Sequence, residues 1–480
     1  MIQFLLNDQL VSLEDCAPDV SVLEYLRTGM GQRGTKEGCA SGDCGACTLV
    51  VAEPAHEGLR YTSLNSCITF VATLHGKQLL TVEHLQSSGA LHPVQQAMVD
   101  LHGSQCGFCT PGFIMSMFAL YKSCDTPSRT DVERALAGNL CRCTGYRPII
   151  DAALSLAGKG AKDQFSASED QIRERLMQIL RDSPTASLTQ GNRRFYIPSC
   201  SDELASLLQA YPQARLLAGG TDLALDVTQQ LQQPEVLIYT GRVAEMNEIM
   251  QTDTALLIGG GVTYSQAEPL LKQHFPAFAH LLDRLGSLQI RNQGTLGGNV
   301  ANASPIGDTP PVLLALNAQI HVRSGNHCEA VAIDDFFTGY RQTALPELGF
   351  IEQIEIPLIP ERQLYVYKVS KRLDDDISAV CAAFGLTIVD GIVSEARLGF
   401  GGMAATPARA TEAEKALVGQ PFTEAGIQAA QQALADDFSP IDDVRASGRY
   451  RLMVAQNLLL RAVLEDNNPT RQPLEVVQYA

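Results

Sequence analysis

Eight of the thirteen cysteines fall into two groups whose spacing suits iron–sulfur chemistry. The first group lies in CASGDCGAC and at one later position, and it comprises Cys39, Cys44, Cys47 and Cys67. The spacing C-x4-C-x2-C with a distant fourth cysteine is a known two-iron, [2Fe-2S] signature. The intervening glycines let the backbone curl around such a cluster. Zinc is the alternative, but zinc favours paired C-x2-C units, so this group predicts a [2Fe-2S] cluster.

The second group has the pattern C-x2-C followed by a distant C-x-C, and it comprises Cys106, Cys109, Cys141 and Cys143. Alone, this pattern would also suit a zinc site with four cysteine ligands. Pro111, just after Cys109, predicts the start of a helix, and the C-x-C pair lies between two predicted helices. Helix N-termini favour negative charge, which suits an anionic cluster. We therefore predict a second cluster between helix ends.

Length and charge limit the class of protein. A chain of 480 residues is long enough for about three or four domains. The net charge of −17 argues against a nucleic-acid partner and against binding to anionic membranes. The N-terminus has no secretory pattern, and no apolar run approaches the length of a membrane span. We expect a cytoplasmic protein, in which clustered cysteines stay reduced and bind metal.

Changes in residue pattern divide the chain into five segments. Short β-type runs between Gly-rich loops fill residues 1–84, and four stretches with helical spacing fill 85–157. Residues 158–194 are polar, with one predicted helix near 169–181, and are interpreted as a linker. Strands and helices mix in 195–364, and strands followed by two helices fill 365–480.

These motifs resemble those of a known family. CASGDCGACTLV and QCGFCTPG with CRCTGYRPI resemble the iron–sulfur signatures of the molybdenum hydroxylases, the xanthine dehydrogenase and aldehyde oxidase family. LLAGGTDL, RNQGTLGGNVANASPIGD and YKVSKRLDDDISAV resemble its flavin domain. The resemblance implies an α+β multidomain fold. Its parts would be a β-grasp ferredoxin-like domain, a four-helix [2Fe-2S] domain, a two-part α+β FAD-binding domain (PCMH-like) and a C-terminal α+β domain.

The resemblance also implies an FAD site. The first Gly-rich loop would wrap the pyrophosphate, because small residues let backbone N–H groups reach phosphate oxygens. The implied FAD residues are Leu216, Leu217, Ala218, Gly219, Gly220, Thr221, Asp222, Leu223, Leu285, Thr295, Leu296, Gly297, Gly298, Asn299, Ser304, Asp308, Ile351 and Lys368. Neither loop is a G-x-G-x-x-G sequence, so a Rossmann site is not predicted. The acidic run Asp374, Asp375 and Asp376 is either a solvated face or part of the flavin surroundings.

The function implied by the resemblance is electron transfer. A partner chain, the large molybdopterin-binding subunit, would oxidise hypoxanthine and xanthine to urate, so no residue of this chain is expected to hydroxylate substrate. Electrons would pass to the second cysteine group, then to the first, then to FAD and NAD⁺. Gln105 would face the partner's pterin, and a dimer of heterodimers is expected.

Two other functions stay open at this point. The same electron-transfer role could serve an aldehyde or N-heterocycle hydroxylase, for example one that acts on nicotinate, and O₂ could replace NAD⁺ as acceptor. In a different class, the chain could be a non-catalytic redox sensor or scaffold. The sequence contains no G-x-S-x-G, H-E-x-x-H or Walker A pattern that would indicate separate catalysis.

Overall fold

The computed structural model describes residues 1–87, 89–159 and 163–468. Residue 88 of the predicted helical domain, residues 160–162 of the predicted linker and residues 469–480 of the predicted C-terminal domain lie outside the described residues. The chain forms two compact units. The first comprises Met1–Met246, Thr263–Gln266 and Gly286–Thr295. The second comprises Asn247–Val262, Ala267–Leu285 and the chain from Leu296 onward.

The first unit begins with a five-stranded mixed sheet in the order β2-β1-β5-β3-β4. Its strands are β1 (Ile2–Leu6), β2 (Gln9–Leu13), β3 (Thr48–Pro54), β4 (Leu59–Asn65) and β5 (Gln78–Leu80). The short helix α1 (Val22–Glu24) continues into a π-helical turn, Tyr25–Gly29, and two 3₁₀ turns span Val71–Leu74 and Val82–Leu85. Side chains of β3 alternate between two hydrophobic cores, Leu49 in one and Val50 in the other. This strand is therefore buried on both faces.

Four helices follow, as the sequence predicts. They are α2 (Pro93–Asp100), α3 (Thr110–Ser123), α4 (Arg129–Leu136) and α5 (Arg147–Leu154). Proline occupies the first turn of α2, α3 and α5, where its missing N–H costs no helical hydrogen bond. Ser128 caps α4 through a capping box with Asp131.

The segment predicted as a linker has regular structure. Helix α6 (Gln164–Asp182) is 19 residues long and fills most of this segment. It contains the predicted helix near 169–181 and begins five residues earlier. Its buried side chains, including Phe165 and Leu176, belong to the same hydrophobic core as α2–α5. Strands β6 (Ala186–Gln190) and β7 (Arg193–Ile197) then form a hairpin, so residue 195, the predicted start of the next domain, lies inside a strand.

This hairpin opens a second, four-stranded sheet of the first unit, in the order β6-β7-β9-β8. Strands β8 (Arg215–Leu217) and β9 (Val236–Tyr239) run parallel to β7. Helix α7 (Ser201–Ala210) precedes β8, α8 (Leu223–Thr228) follows it, and 3₁₀ turns span Thr240–Arg242 and Glu245–Asn247. The Gly-rich loop 218–222 thus lies at the carboxyl end of a parallel strand, where α/β sheets commonly bind ligands.

The next stretch of chain contains α9 (Tyr264–His274), α10 (Pro276–Asp283), α11 (Leu288–Arg291), α12 (Leu296–Asn302), α13 (Thr309–Leu316) and α14 (Ile333–Phe336). Of these, α11 belongs to the first unit. The second unit has an antiparallel sheet in the order β10-β11-β16-β12-β13. Its strands are β10 (Ile249–Gln251), β11 (Ala255–Gly259), β12 (Gln319–Ser324), β13 (His327–Ala332) and β16 (Phe350–Pro357), and β14 (Phe337–Gly339) pairs separately with β15 (Gln342–Thr343).

The second unit ends in a four-stranded antiparallel sheet covered by helices. The strands are β17 (Arg362–Val369), β18 (Val380–Val389), β19 (Ile392–Gly401) and β20 (Ala408–Arg409), and the helices are α15 (Thr411–Leu417), α16 (Gln428–Asp437) and α17 (Gly448–Asp466). Phe384 and Phe400 of the sheet share a core with Leu459 of α17. The predicted strands and closing helices are confirmed, and so is the α+β fold class. Among the described residues, no helix has the length and apolar character that crossing a bilayer requires.

Candidate iron–sulfur and flavin sites

The first cysteine group is assembled by the loop before β3 and by the turn after β4. The Cys47 and Cys67 sulfurs lie 3.3 Å apart, and Cys39 contacts both Cys44 and Cys67 through hydrogen bonds between side chains. The backbone N–H groups of Ser41 and Asp43 donate to the Cys39 sulfur at 3.4 and 3.3 Å. Contacts between side chains therefore link all four predicted cysteines.

Hydrogen bonding in this loop favours ionised sulfur at Cys39. The Cys44 and Cys67 thiols and the Ser41 hydroxyl and N–H hold the pKa of Cys39 well below its usual range, although burial opposes this. Thiolate is the form that binds iron. The fold of the loop by itself thus favours the metal-binding form of Cys39.

The second cysteine group lies between helix ends, as predicted. Cys109 is the N-cap of α3, and Cys141 and Cys143 lie in the loop between α4 and α5. The Cys106 and Cys143 sulfurs are 3.7 Å apart, and Cys109 contacts Cys141. Burial raises the pKa of Cys141, but hydrogen bonds from the Thr144 hydroxyl and N–H outweigh it and lower that pKa to about 7.

The sulfurs of both groups are arranged in pairs, which fits two-iron clusters. Two thiolates on one tetrahedral ion, each about 2.3 Å from it, lie about 3.8 Å apart. The pair Cys106 and Cys143, at 3.7 Å, matches this spacing, and the pair Cys47 and Cys67 is somewhat closer. In the described ranges, no set of three or more Cys, His, Asp or Glu side chains is arranged to hold a single metal ion. The pairing of the sulfurs fits the ligand arrangement of a [2Fe-2S] cluster, in which two cysteines bind each iron.

The two cysteine groups are joined directly through the backbone. The N–H of Leu140, the residue before Cys141, donates to the carbonyl of Cys44 at 3.0 Å. Next to it, the Asn139 amide donates to the carbonyl of Gly45, also at 3.0 Å. A predicted ligand of the first group and the residue before a predicted ligand of the second group are thus linked by one hydrogen bond.

Exposure differs between the two groups. Cys47 and Cys67 are buried, whereas Cys106 and Cys143 are exposed. Two large apolar residues next to ligands of the second group are also exposed, Phe108 at 49% and Leu140 at 55%. Exposed apolar side chains around a redox site are typical of a surface that meets another protein.

The first flavin-type loop, residues 216–223, joins β8 to α8 in the first unit. A Cβ atom on Gly219 would lie 1.9 Å from the carbonyl oxygen of Gln293, so the loop contacts the start of the second flavin-type loop there. Gly220 has a φ of +75°, which favours glycine. Within the described chain, the N–H groups of Gly219, Gly220 and Thr221 donate to no other protein group. Such free donors in a tight turn suit phosphate oxygens, so this loop fits the pyrophosphate of FAD.

The same loop lies beside the first cysteine group. A Cβ atom on Gly220 would be 3.6 Å from the carbonyl oxygen of Ile68, the residue after Cys67. The side chain of Gln229, just after α8, donates to the carbonyls of Cys39 and Ala40 at 3.3 and 2.9 Å. Sequence reasoning missed Gln229, because nothing local distinguishes it from other exposed glutamines.

The rest of the second flavin-type loop, residues 295–308, forms α12 and the turn after it. Thr295 pairs with Thr263 in the first unit. In the second unit, a Cβ atom on Gly297 would lie 2.4 Å from the Gly260 carbonyl oxygen. The Asn299 side chain accepts a hydrogen bond from the Thr309 hydroxyl at 2.6 Å. Leu296 is buried, whereas Gly298, Asn299 and Ser304 are partly buried.

Asp308 and Lys368, both predicted flavin residues, form a buried ion pair. Lys368 Nζ lies 2.6 Å from Asp308 Oδ2, and both side chains are less than a tenth exposed. The Ser378 hydroxyl donates to Asp308 Oδ1 at 2.5 Å, and Arg284 donates to the backbone carbonyl of Lys368 at 2.7 Å. Sequence reasoning missed both: Ser378 lies within the motif YKVSKRLDDDISAV but was not singled out, and Arg284 lies outside the motifs. The pair is satisfied by protein groups and holds β17 against the N-terminus of α13.

The other predicted positions are more dispersed. Ile351 is buried in β16, and Leu285 is partly buried in the turn after α10. In the acidic run, Asp374 is exposed, whereas Asp376 accepts hydrogen bonds from the N–H groups of Arg372 and Ile377. Asp376 therefore stabilises its own loop.

Four family models match successive parts of the chain. They are described as a 2Fe-2S iron-sulfur cluster binding domain (residues 5–72), a [2Fe-2S] binding domain (81–154), the FAD binding domain in molybdopterin dehydrogenase (185–359) and the CO dehydrogenase flavoprotein C-terminal domain (365–466). The first two contain all eight predicted cluster ligands. The third contains the two Gly-rich loops.

Curated relatives are similar along most of the chain. A xanthine dehydrogenase of Emericella nidulans is 35% identical over 91% of this chain and 36% of its own length. The xanthine dehydrogenase/oxidase of Gallus gallus is 31% identical over 91% of this chain and 38% of its own length. The chain therefore spans less than two-fifths of the length of these relatives.

Two solved structures each resemble a little over half of this chain. A carbon monoxide dehydrogenase chain from Hydrogenophaga pseudoflava is 28% identical, with a TM-score of 0.54, over 56% of this chain and 96% of its own. A quinoline 2-oxidoreductase chain from Pseudomonas putida 86 is 27% identical, with a TM-score of 0.53, over 56% of this chain and 94% of its own. With two [2Fe-2S] domains, an FAD-binding domain and a flavoprotein C-terminal domain in this order, the chain belongs to the molybdenum hydroxylase family.

Proposed function

We propose that this chain is the electron-transfer component of a xanthine dehydrogenase, with NAD⁺ as the final acceptor. One observation carries the proposal: the exposed cysteine group, the buried cysteine group and a phosphate-type loop follow one another in direct contact. The Leu140 N–H meets the Cys44 carbonyl, and Gly220 lies beside Ile68. A protein that only stored metal would not need this series.

The chain's own residues would hold three redox groups in fixed positions. When bound, two [2Fe-2S] clusters would carry single electrons and FAD would exchange electron pairs with a nicotinamide. The eight predicted cysteines would hold the iron. The free N–H groups of Gly219, Gly220 and Thr221 would bind the pyrophosphate. The remaining predicted flavin residues are proposed as further FAD contacts.

The partner would approach the second cysteine group. Cys106 and Cys143 are its exposed ligands, and Phe108 and Leu140 supply exposed apolar area beside their group. The curated relatives extend far beyond the matched region. We propose that a partner chain supplies the molybdopterin-binding portion. Gln105 directly precedes Cys106, so we propose that it contacts this partner.

A second candidate keeps the electron-transfer role but changes the substrate to an N-heterocycle such as a quinoline. The similarity to the quinoline 2-oxidoreductase chain favours it, although the xanthine dehydrogenase relatives cover much more of this chain. Substrate choice would be made on the partner, so the test must include that chain.

The experiment is to purify this chain with its co-purifying partner and to measure NAD⁺ reduction with hypoxanthine, xanthine, quinoline, an aldehyde and carbon monoxide. We expect reduction with the two purines. Activity with another substrate alone would replace the purine proposal. For this chain by itself, NADH-driven reduction of an artificial dye is expected, and a folded, flavin-containing sample without it would support a sensor or scaffold instead.

A further inference from the structure

Four polar side chains are buried between the two cysteine groups. Thr48, Ser116, Asn139 and Gln289 are each at most 2% exposed. They come from β3, α3, the turn after α4 and α11, respectively. Burying polar groups is unfavourable unless they bond to one another, so such a cluster requires an explanation.

Gln289 is the centre of this cluster. Its amide nitrogen lies 3.0 Å from Asn139 Oδ1 and 3.2 Å from both the Thr48 and the Ser116 hydroxyl oxygens. The Ser116 hydroxyl also donates to Asn139 Oδ1 at 2.7 Å. One side chain thus connects three elements that are distant in sequence.

The cluster acts on the backbone of both cysteine loops. Asn139 and Thr48 donate to the Gly45 carbonyl at 3.0 and 2.7 Å, and Gly45 lies between Cys44 and Cys47. Asn139 is itself two residues before Cys141. The position of the first loop relative to the second is therefore fixed by the groups that Gln289 holds in place.

Contacts along α11 hold Gln289 in this position. Ser287 caps the helix, and Gly138 leaves room for it, since a Cβ atom there would lie 2.3 Å from Gln289 Oε1. Asn292 donates to the Ser63 carbonyl at 2.8 Å, and Gln293 donates to the Thr69 hydroxyl at 2.8 Å. The segment 287–293 is thus fastened to the first sheet as well as to the helical domain.

The oxygen of Gln289 has an unusual environment. Within the described part of the chain, Gln289 Oε1 has no hydrogen-bond partner. A buried acceptor without a partner is costly, and an apolar residue of similar volume would avoid that cost. Simple packing therefore does not explain a glutamine here. The three hydrogen bonds of its amide nitrogen do, because they link Thr48, Ser116 and Asn139.

We propose that Gln289 is a positioning residue that sets the distance and orientation between the two iron–sulfur sites. The inference rests on the proposed function, because it requires both sites to hold clusters. Fixed geometry between reacting groups is a recognised source of rate, and small displacements are expensive. A glutamine from the flavin-binding part of the sequence would thereby control transfer between two sites to which it is not a ligand.

The test compares three variants of the full-length chain with bound cofactors. Gln289→Leu removes the central hydrogen bonds at similar volume. Ser116→Ala removes one partner of Gln289 and is the milder change, and it also leaves every cysteine and glycine of the loops intact. Gln178→Leu is the matched control, because Gln178 is exposed on α6, far from these residues in sequence. Iron and flavin content are measured first for each.

The informative readouts are the magnetic interaction between the two reduced clusters, observed by electron paramagnetic resonance, and the rate of electron transfer between them after rapid mixing. With full iron content, Gln289→Leu is expected to weaken or broaden the interaction and to slow transfer several-fold. Ser116→Ala should change both in the same direction but less, and Gln178→Leu should change neither.

Unchanged interaction and rate in an iron-replete Gln289→Leu protein would overturn the inference, while leaving the proposed function intact. If Gln289→Leu loses iron, Ser116→Ala decides by the same two readouts. Wild-type protein without two clusters would instead refute the proposed function, so the two failures are distinguishable.

Discussion

Lys368 and Asp308 depend on each other for their charges, because both side chains lie away from water and only 2.6 Å apart. A buried pair contributes modestly to stability, but removal of one partner leaves an uncompensated charge. The Ser378 hydroxyl, bonded to the other oxygen of Asp308, satisfies a further lone pair. At the scale of single residues, this site is therefore intolerant of one-sided changes.

We expect Lys368→Met to lower the free energy of unfolding by about 3 kcal/mol or more, since Asp308 would remain buried without its cation. The double variant with Asp308→Asn should recover part of that loss. Denaturant titration of each protein measures both effects. Lys272→Met, at an exposed position of α9, is the control and should change stability little. Equal stability of the Lys368 and Lys272 variants would contradict the importance of the pair.

Cys106 belongs to the second cysteine group alone, because its near sulfur contact is Cys143. Cys106→Ser should remove one of two electron paramagnetic resonance signals and leave the other. Iron content should fall from about four to about two per chain. Loss of both signals from a folded variant would mean that the two sites are not independent.

Helix α6 depends on its N-cap residue, Asp163, whose side chain accepts a hydrogen bond from the Ser166 N–H. Burial raises the pKa of Asp163, but hydrogen bonds from His92, the Ser166 N–H and Lys122 outweigh it and hold that pKa well below its usual range. Because the folded-state pKa is lowered, the carboxylate stabilises the fold above the ordinary aspartate pKa of about 3.9, and this contribution is lost as the pH falls below it.

Asp163→Asn should therefore lower the free energy of unfolding by about 2–4 kcal/mol at neutral pH. The difference from wild type should shrink as the pH falls below about 4, because Asp163 of the unfolded chain then becomes protonated, and it should be lost as the pH falls through the lowered pKa of the folded protein. Denaturant titrations across this pH range measure the effect. Asp170→Asn, at an exposed position of the same helix, is the control. A constant difference at every pH would show that Asp163 acts through shape and not through charge.

The loop after β8 depends on clearance at Gly219. A methyl group there would overlap the Gln293 carbonyl oxygen, at 1.9 Å, so Gly219→Ala must displace the loop. Flavin content is expected to fall well below one per chain, whereas iron content stays unchanged, because no cluster ligand is moved. Gly29→Ala is the control, since a methyl group there would make only ordinary contacts, 3.6 Å or more from Tyr25. Full flavin content in Gly219→Ala would exclude this loop from the flavin site.

Local patterns predicted these elements better than they predicted the contacts between them. Prolines and apolar spacing located α2 to α5, and cysteine spacing predicted which cysteines lie close together, because such signals lie within a few residues. The contact between Gln289 and Ser116 joins residues 173 positions apart, and no periodicity encodes it. The pairing of Lys368 with Asp308 was hidden in the same way, although each was assigned to the flavin region. The order within residues 158–194 was underestimated because α6 has few apolar residues, each buried by a distant partner.

At the scale of the whole molecule, the first unit contains a continuous series of candidate redox positions. It runs from exposed Cys106 through Cys141 and Cys44 to the loop at Gly220. The chain spans less than two-fifths of the length of its curated relatives. In the proposed function, this series carries electrons away from a reaction on a partner chain. We expect this one chain to hold all three redox groups.

The most direct test is the determination of iron, acid-labile sulfide and flavin in the purified full-length chain, after its folding has been verified by circular dichroism. We predict about four irons, about four sulfides and about one FAD per chain, with two distinct iron–sulfur signals on reduction. A folded sample with about two irons, or with full iron and no FAD, would show that the chain does not hold all three redox groups.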